Sequence, residues 1–208
     1  PTGSAGQLGA THSQSFDNWF ANCPGLKVIV PSNPYDAKGL LKSAIRDDNP
    51  VVFMESEVMY GDKMVVPEEE YIIPIGVAKV HQEGNDVTIL SYGKMMKTVF
   101  EAVSSLQEQN ISVEVIDLRT IRPLDYETII KSVKKTNRLI IVEESWPFGS
   151  ISSEISYHIQ RNAFDFLDAP IVRICSADVP MAYAPNLVTE FLPKADTIIQ
   201  KVKSVLYL

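Results

Sequence analysis

The architecture of the chain follows from residues 87–117, which read VTILSYGKMMKTVFEAVSSLQEQNISVEVID. Residues 87–91 and 113–117 are short apolar runs of the kind that form buried strands. Between them, the apolar side chains of residues 95–109 recur at helical spacing and predict an amphipathic helix. A helix that connects two buried strands indicates an α/β fold with a parallel sheet.

The same alternation continues toward the carboxyl end. It predicts helices over 126–134, 150–162, 187–192 and 195–206 and strands over 139–142 and 171–174. Four strands separated by helices predict a sheet that is covered on both faces.

A second α/β pattern precedes this one. It predicts a short helix over 16–23, a strand over 26–30, a helix over 35–46 and a strand over 51–54. Strand, helix and strand in this order imply a right-handed parallel crossover. We expect Trp19 and Phe20 in the core, and we expect Leu40, Leu41 and Ile45 on the buried face of the longer helix.

The pattern breaks down between residues 57 and 76. Turn-forming residues and an acidic run occur there without helical or strand periodicity, as in a linker that crosses a surface. We therefore predict a first domain over residues 1–62, a linker over 63–78 and a second domain over 79–208. The later sheet is expected to serve assembly.

Composition excludes several classes of protein. A hydrophobic fraction of 45% with 22% charged residues is ordinary for a globular chain and argues against disorder. The net charge of −7, without a basic stripe, argues against nucleic acid as a partner. No apolar run approaches membrane-spanning length, so no membrane partner is expected. Cys23 and Cys175 lie far apart and indicate structural thiols in a reducing compartment.

The glycine-rich stretch GSAGQLGATHSQSF, residues 3–16, is the leading candidate for chemistry. Glycines allow backbone conformations that bring a chain close to a ligand, and such a loop can present the His12 imidazole for proton transfer. The alternative is that His12 is a hydrogen-bonded structural residue. Because the sequence starts with Pro1 inside this loop, we expect it to be the carboxyl part of a longer chain.

Other candidate sites follow the predicted strands and helices. Groups at 91–93, 117–125 and 143–149 fall at strand ends, where ligands gather in parallel sheets, but capping and interface contacts explain them better. The extended segment 178–185, with an exposed Tyr183, could be a partner surface or a stiff connector. The helix end at 44–49 offers an oxygen-rich corner for a hard cation, although a solvated helix end is the simpler explanation.

Several ordered motifs together carry a resemblance that extends over the whole chain. They are PTGSAG (1–6), THSQ (11–14), CPGLKV (23–28), DAKGL (36–40), SAIRD (43–47), NPVV (49–52), MYG (59–61), DLRTIRPLD (117–125) and ADVP (177–180). In this order they resemble the β subunits of the thiamine-diphosphate-dependent 2-oxo-acid dehydrogenase E1 component, which are transketolase-like. The resemblance implies the end of a pyrimidine-binding parallel-sheet domain followed by a three-layer α/β domain of the transketolase C-terminal type.

The resemblance also implies a function. Members decarboxylate a 2-oxo acid and acylate the lipoyl group of the E2 component. Pyruvate is the expected substrate, and a branched-chain 2-oxo acid is the alternative. Taken alone, the chain could instead be a non-catalytic module for dimerisation and E2 docking, and we expect it to be inactive without the rest of the enzyme.

Residues, cofactors and partners follow from the same resemblance. His12 matches the family's active-site histidine, and the backbone oxygens of Ala44, Asp47 and Asn49 match a potassium site found in some members. Thiamine diphosphate is the implied cofactor, with its magnesium held by the E1 α subunit and its activating glutamate upstream of residue 1. The implied partners are the α subunit, a second β subunit and E2, in the bacterial cytoplasm or, in a eukaryote, the mitochondrial matrix.

Overall fold

A computed structural model describes residues 1–4 and 6–208; Ala5, which belongs to the PTGSAG motif and the glycine-rich stretch, lies outside the described residues. The helices are α1 (Asp17–Ala21), α2 (Pro34–Ile45), α3 (Met95–Gln107), α4 (Tyr126–Thr136), α5 (Ile151–Ala163), α6 (Pro185–Phe191) and α7 (Ala195–Val205). The strands are β1 (Lys27–Ile29), β2 (Val51–Phe53), β3 (Lys79–Gln82), β4 (Val87–Ser91), β5 (Val113–Asp117), β6 (Thr120–Arg122), β7 (Leu139–Val142) and β8 (Val172–Ile174).

The larger sheet has five strands in the order β3-β5-β4-β7-β8. Strands β4, β5, β7 and β8 are parallel to their neighbours, and β3 is added antiparallel at one edge. Helices α3 and α7 pack on one face, while α4 and α5 pack on the other. This three-layer arrangement confirms the predicted α/β fold, since strands buried on both faces carry apolar side chains in continuous runs.

A smaller sheet lies in the first part of the chain, in the order β2-β1-β6. Strands β1 and β2 are parallel and α2 connects them, as predicted. The third strand, β6, comes from the second part of the chain and pairs antiparallel with β1. The two parts are therefore joined by backbone hydrogen bonds as well as by side chains.

The expected burial of two helix faces is wrong in part. Trp19 is 65% exposed and Phe20 is also exposed, because the five-residue helix α1 turns Asp17 and Ala21 inward instead. These two buried residues are spaced one helical turn apart, which leaves Trp19 on the opposite face. The aromatic pair is therefore a surface feature.

Helix α2 shows the same kind of correction. Leu40 is fully buried, whereas Leu41 is exposed and Ile45 is 75% exposed. The buried face is set by Gly39 and Leu40, because Ile73 packs directly over Gly39, at 2.7 Å from the position that a Cβ would take there.

Residues 63–78 contain no helix or strand, and Pro67, Tyr71 and Ile73 of this segment contact α2. The Tyr71 ring stacks on Tyr35 with centroids 4.6 Å apart, and its hydroxyl donates to the Tyr35 carbonyl. Ser43 donates to the carbonyl of Ile73 at 2.6 Å. This segment is therefore packed against α2 through these contacts. Among the described residues, no helix combines the length and apolar character that a membrane crossing requires.

Candidate active-site loop

His12 lies on a loop whose two ends are joined by backbone. The Gly3 amide donates to the Gln14 carbonyl at 3.1 Å, and within the loop the His12 amide donates to the Gly9 carbonyl at 3.3 Å. The imidazole is exposed, and its Nδ1 lies 2.8 Å from the Thr11 hydroxyl. In either tautomer, Nε2 is therefore the ring nitrogen available for exchanging a proton with a molecule outside the chain.

The first end of the loop is held by an ion pair. Lys94 Nζ lies 2.6 Å from Glu144 Oε1, and both side chains are nearly buried. The Ser4 amide donates to Glu144 Oε1 at 2.5 Å, and Lys94 Nζ donates to the Ser4 carbonyl at 3.0 Å and to the Ser4 hydroxyl. Lys94 follows β4 and Glu144 follows β7, so the pair sits at the carboxyl edge of the larger sheet.

Gly3 makes this contact possible. It has φ +76°, a left-handed conformation that glycine adopts without steric cost. A Cβ at this position would lie 2.7 Å from Glu144 Cδ, inside van der Waals distance. Any other residue here would be strained and would displace the carboxylate that holds Ser4.

The second end of the loop is held by Asp17. This carboxylate is buried at the start of α1, and its Oδ2 accepts from the Tyr92 hydroxyl at 2.6 Å and from the Ser145 hydroxyl at 2.9 Å. Tyr92 also contacts Glu143 Oε2 at 3.1 Å. Both ends of the loop are therefore attached to residues that follow β4 and β7.

Sequence reasoning found the loop but did not find these attachments. It favoured capping and interface contacts for the groups at 91–93 and 143–149, and Glu143 does accept from the Ser152 amide in the first turn of α5 at 3.3 Å. In addition, Glu144 holds Ser4 of the His12 loop, and Tyr92 holds Asp17. The available signal was the position of polar residues directly after neighbouring parallel strands, which meet at one edge of a sheet.

Burial dominates the electrostatics of this cluster. It raises the pKa of Glu143, and the nearby Asp17 charge raises it further, while hydrogen bonds from serine side chains oppose the change. Burial likewise raises the pKa of Glu144 and lowers that of Lys94, and in each case the charge of the partner works against the shift. The attraction between Lys94 and Glu144 thus stabilises two charged groups in a buried site, where each of them has lost contact with water.

Glu143 gives a prediction for stability against pH. Because the folded state holds this proton more tightly than the unfolded chain, the carboxyl group favours folding below its ordinary pKa of 4.5, and the contribution is lost as pH rises through the raised folded pKa. Glu143→Gln cannot titrate, so it should flatten the fall in unfolding midpoint across that range. Urea unfolding at a series of pH values measures this.

The control for that experiment is Glu101→Gln, which changes an exposed carboxylate on α3. It should reproduce the pH dependence of the unsubstituted protein. If Glu143→Gln also kept the unsubstituted slope, then Glu143 would not titrate in the folded state as its burial demands.

The cavity beside the loop attachments is small. It has a volume of about 20 Å³ and is lined in part by Thr2, Asp17, Tyr92 and Lys94, which is room for about one water molecule. A larger cleft of about 500 Å³ is lined by other residues, from Asn18 to Ile121 and Glu154. The exposed imidazole therefore lies outside both of these cavities.

At the helix-end corner the Ala44 carbonyl accepts from the Asp47 amide at 3.3 Å. Asp47 Oδ1 accepts from the amide and the side chain of Asn49, each at 2.9 Å, and Asp47 Oδ2 accepts from Lys27. These partners, Lys27 first, lower the Asp47 pKa to about 2. The carboxylate is thus occupied in shaping the turn, and any ion here would rely on carbonyl oxygens, as the resemblance implies for Ala44, Asp47 and Asn49.

A second polar cluster joins the two parts of the chain. Asp36, His81 and Asp117 are close enough for a metal, but protein donors already occupy the four carboxylate oxygens. Arg119 pairs with Asp36 at 2.6 Å, and its amide donates to Asp117 Oδ1 at 2.9 Å. Asn33 donates to Asp36 Oδ2, and the Ser32 hydroxyl donates to Asp117 Oδ2. The cluster is therefore a structural ion-pair network.

The extended segment at 178–185 packs beside the loop. The Trp146 indole donates to the Val179 carbonyl at 2.9 Å, and Met181 is buried. Tyr183 is 71% exposed, as expected, and its ring lies next to Gly9 of the loop. Cys23 and Cys175 are both free thiols.

Comparison with known protein families identifies both parts of the chain. Residues 1–63 match the transketolase pyrimidine binding domain, and residues 76–198 match the transketolase C-terminal domain. Among solved structures, a split gene transketolase described as an inactive β4 tetramer superposes with a TM-score of 0.82 at 23% identity, covering 100% of this chain and 65% of that one. This likeness shows the fold.

Curated relatives are more similar in sequence. The pyruvate dehydrogenase E1 component subunit beta of Rhizobium meliloti is 48% identical over 100% of this chain, and its mitochondrial counterpart in Dictyostelium discoideum is 50% identical over 99%. The mitochondrial subunit beta-2 of Oryza sativa is 48% identical over 100%. The chain spans 45%, 59% and 56% of these relatives, respectively.

Proposed function

Because the chain belongs to the transketolase-like family that includes the β subunits of 2-oxo-acid dehydrogenase E1 components, we propose that it acts as such a β subunit in pyruvate dehydrogenase. The reaction would be the oxidative decarboxylation of pyruvate with transfer of the acetyl group to the lipoyl arm of E2. The three relatives described above all carry the pyruvate dehydrogenase name, which favours pyruvate over branched-chain 2-oxo acids.

One structural observation carries the proposal. An exposed histidine stands on a loop that is fixed at both ends to the carboxyl edge of a parallel sheet. In open α/β sheets this edge is where ligands bind. A loop held in this way can present an imidazole with a defined position to a reacting molecule while remaining open to the outside.

His12 would exchange a proton through Nε2. The Thr11 hydroxyl at Nδ1 orients the ring, and its choice of donor or acceptor role sets whether Nε2 gives or receives the proton. When bound, thiamine diphosphate supplies the electron sink for loss of carbon dioxide. Within this chain, only His12 is proposed to face that cofactor; its diphosphate and magnesium are assigned to an E1 α subunit.

The remaining ligands, partners and compartment are part of the same proposal. Potassium would bind to the carbonyl oxygens of Ala44, Asp47 and Asn49, whose turn is fixed by the Asp47 side chain. The partners would be an E1 α subunit, a second β subunit and E2. The compartment would be the bacterial cytoplasm or the mitochondrial matrix, and two free thiols suit either.

The proposal is tested with the complete β subunit of the source, so that the activating glutamate expected upstream of residue 1 is present. It is combined with the E1 α subunit, and carbon dioxide release is measured from pyruvate and from branched-chain 2-oxo acids. We expect release from pyruvate to exceed release from the branched-chain acids by at least about tenfold, because a pocket discriminates substrates by that factor through a few methylene groups. The reverse preference would favour the branched-chain enzyme. An assembled complex that acts on none of these acids while binding E2 would favour the non-catalytic module.

A further inference from the structure

We propose that Lys94 and Glu144 are a positioning pair for this reaction: together they hold Ser4 near the start of the loop that carries His12, and thereby fix where the His12 imidazole is presented. The inference rests on the role proposed for His12. It assigns a function in the reaction to the second part of the chain, which was expected to serve assembly.

The hydrogen bonds from this ion pair to the loop converge on one residue, Ser4. Glu144 accepts from the Ser4 amide at 2.5 Å, while Lys94 donates to the Ser4 carbonyl at 3.0 Å and to its hydroxyl. Both polar groups of the Ser4 backbone are thus engaged by the two members of one ion pair. A backbone held through its donor and its acceptor is fixed in orientation as well as in position.

The pair is itself fixed by the sheet. Lys94 lies three residues after the end of β4, and Glu144 lies two residues after the end of β7. These strands are parallel neighbours, paired from Thr88 with Leu139 to Leu90 with Ile141. The separation of the two charged groups therefore follows from the most buried part of the fold, and the loop receives its position from a rigid support.

Among the described residues, two further backbone hydrogen bonds hold this end of the loop. Residues 1–4 form no helix or strand, and their other backbone attachments are the Thr2 amide to the Glu55 carbonyl at 2.8 Å and the Gly3 amide to the Gln14 carbonyl at 3.1 Å. The second of these bonds joins Gly3, the neighbour of Ser4, to Gln14, which lies two residues after His12. A shift at Ser4 is therefore passed through Gly3 to the chain beside the imidazole.

The direct test is amide hydrogen exchange on the purified protein. Removing one member would leave a buried charge without its partner and could unfold the chain, so the informative variant is the double replacement Lys94→Met with Glu144→Met. We expect exchange at the amides of residues 3, 4 and 12 to accelerate by at least about tenfold, as for local opening, while the amides of β4 and β7 keep their protection.

A matched control lies on helix α3, which begins directly after Lys94. Lys97 pairs with Asp62 at 2.6 Å, and this exposed ion pair also joins the two parts of the chain. Lys97→Met should leave exchange in the loop unchanged. A second comparison uses glycines: Gly3→Ala crowds Glu144, whereas Gly6→Ala, in the same loop, has no atom within 4 Å of the new methyl group. Only Gly3→Ala should accelerate exchange at Ser4.

The catalytic consequence is measured in the complex of the complete β subunit with the α subunit. Acetylation of the lipoyl domain by the double variant should fall by at least about tenfold in kcat with little change in KM for pyruvate, since a misplaced group affects the reacting geometry more than substrate binding. Lys94→Arg keeps the charge and the donors, and it should restore most of the rate. A purely structural role would lower stability without this division between kcat and KM.

The outcomes separate the two proposals. If the double variant kept the exchange protection of residues 3, 4 and 12, the positioning role would be wrong whatever the enzyme does. Suppose that loop exchange accelerated in the double variant but the unsubstituted complex had no activity with any 2-oxo acid. The structural role of Lys94 and Glu144 in holding Ser4 would then be supported, and the proposed function would be wrong. Faster loop exchange with an unchanged rate of acetylation would also overturn the positioning role.

Discussion

Gly84→Ala is expected to lower the free energy of unfolding by about 3 kcal/mol, at the upper end of what overpacking costs. A Cβ at this buried glycine would lie 2.5 Å from the Val113 carbonyl oxygen and nearer still to Val113 C and Glu114 N. These are backbone atoms of β5, which is paired with β3 on one side and β4 on the other. Strand β5 cannot move away from the added methyl group without breaking hydrogen bonds to β3 or β4. The steric overlap therefore lowers the stability of the folded state.

Two other glycines separate the causes of this effect. Gly61→Ala adds a methyl group in open space, and it should change stability by less than about 0.5 kcal/mol. Gly25→Ala also enters open space but at φ +87°, so it should show the cost of backbone strain alone, about 1 kcal/mol. Urea midpoints of the three variants, at a constant m value, give the comparison. A Gly84→Ala loss no larger than that of Gly25→Ala would contradict the packing argument.

The centre of the larger sheet could be predicted from the sequence because its strands are buried on both faces. Residues 87–91, 113–117 and 139–142 were predicted with the bounds that the structure shows. The edge strand β3 was missed because only Val80 is apolar within KVHQ, and the three-residue strand β6 was missed because its partner, β1, lies in the other part of the chain. Short strands whose pairing is distant leave little periodicity to read.

The loop could also be predicted, but not what holds it. Glycines and a histidine are visible as neighbours in the sequence, whereas Ser4 and Glu144 are separated by 140 residues. The buried pair gives no local signal, since Lys94 and Glu144 each look like a surface residue at a strand end. The burial of α1 was misjudged for the same reason: Asp17 is turned inward by Tyr92 and Ser145, which the sequence alone does not bring near it.

His12→Ala, made in the complete β subunit, is expected to lower the rate of lipoyl-domain acetylation in the complex with the α subunit by about 10²- to 10³-fold. This is within the range that a positioned general acid or base supplies. Assembly and stability should be unaffected, because the side chain is exposed and such replacements change stability by less than about 0.5 kcal/mol. Acetylation is measured directly on the lipoyl domain, and assembly is measured by sedimentation of the complex.

His158→Ala is the matched control, because it removes an imidazole on helix α5 that stacks on Tyr126, with ring centroids 3.7 Å apart. Its complex should acetylate at the unsubstituted rate. His12→Asn keeps a polar group on the loop, but an amide cannot act as a general acid or base, so this variant should be as slow as His12→Ala. If His12→Asn retained the full rate, the ring would act only as a hydrogen-bonding group. If His12→Ala also retained the full acetylation rate, then His12 would have no part in the reaction. The loop that carries it has no other proposed proton donor or acceptor, so fixing its position alone could not accelerate proton transfer.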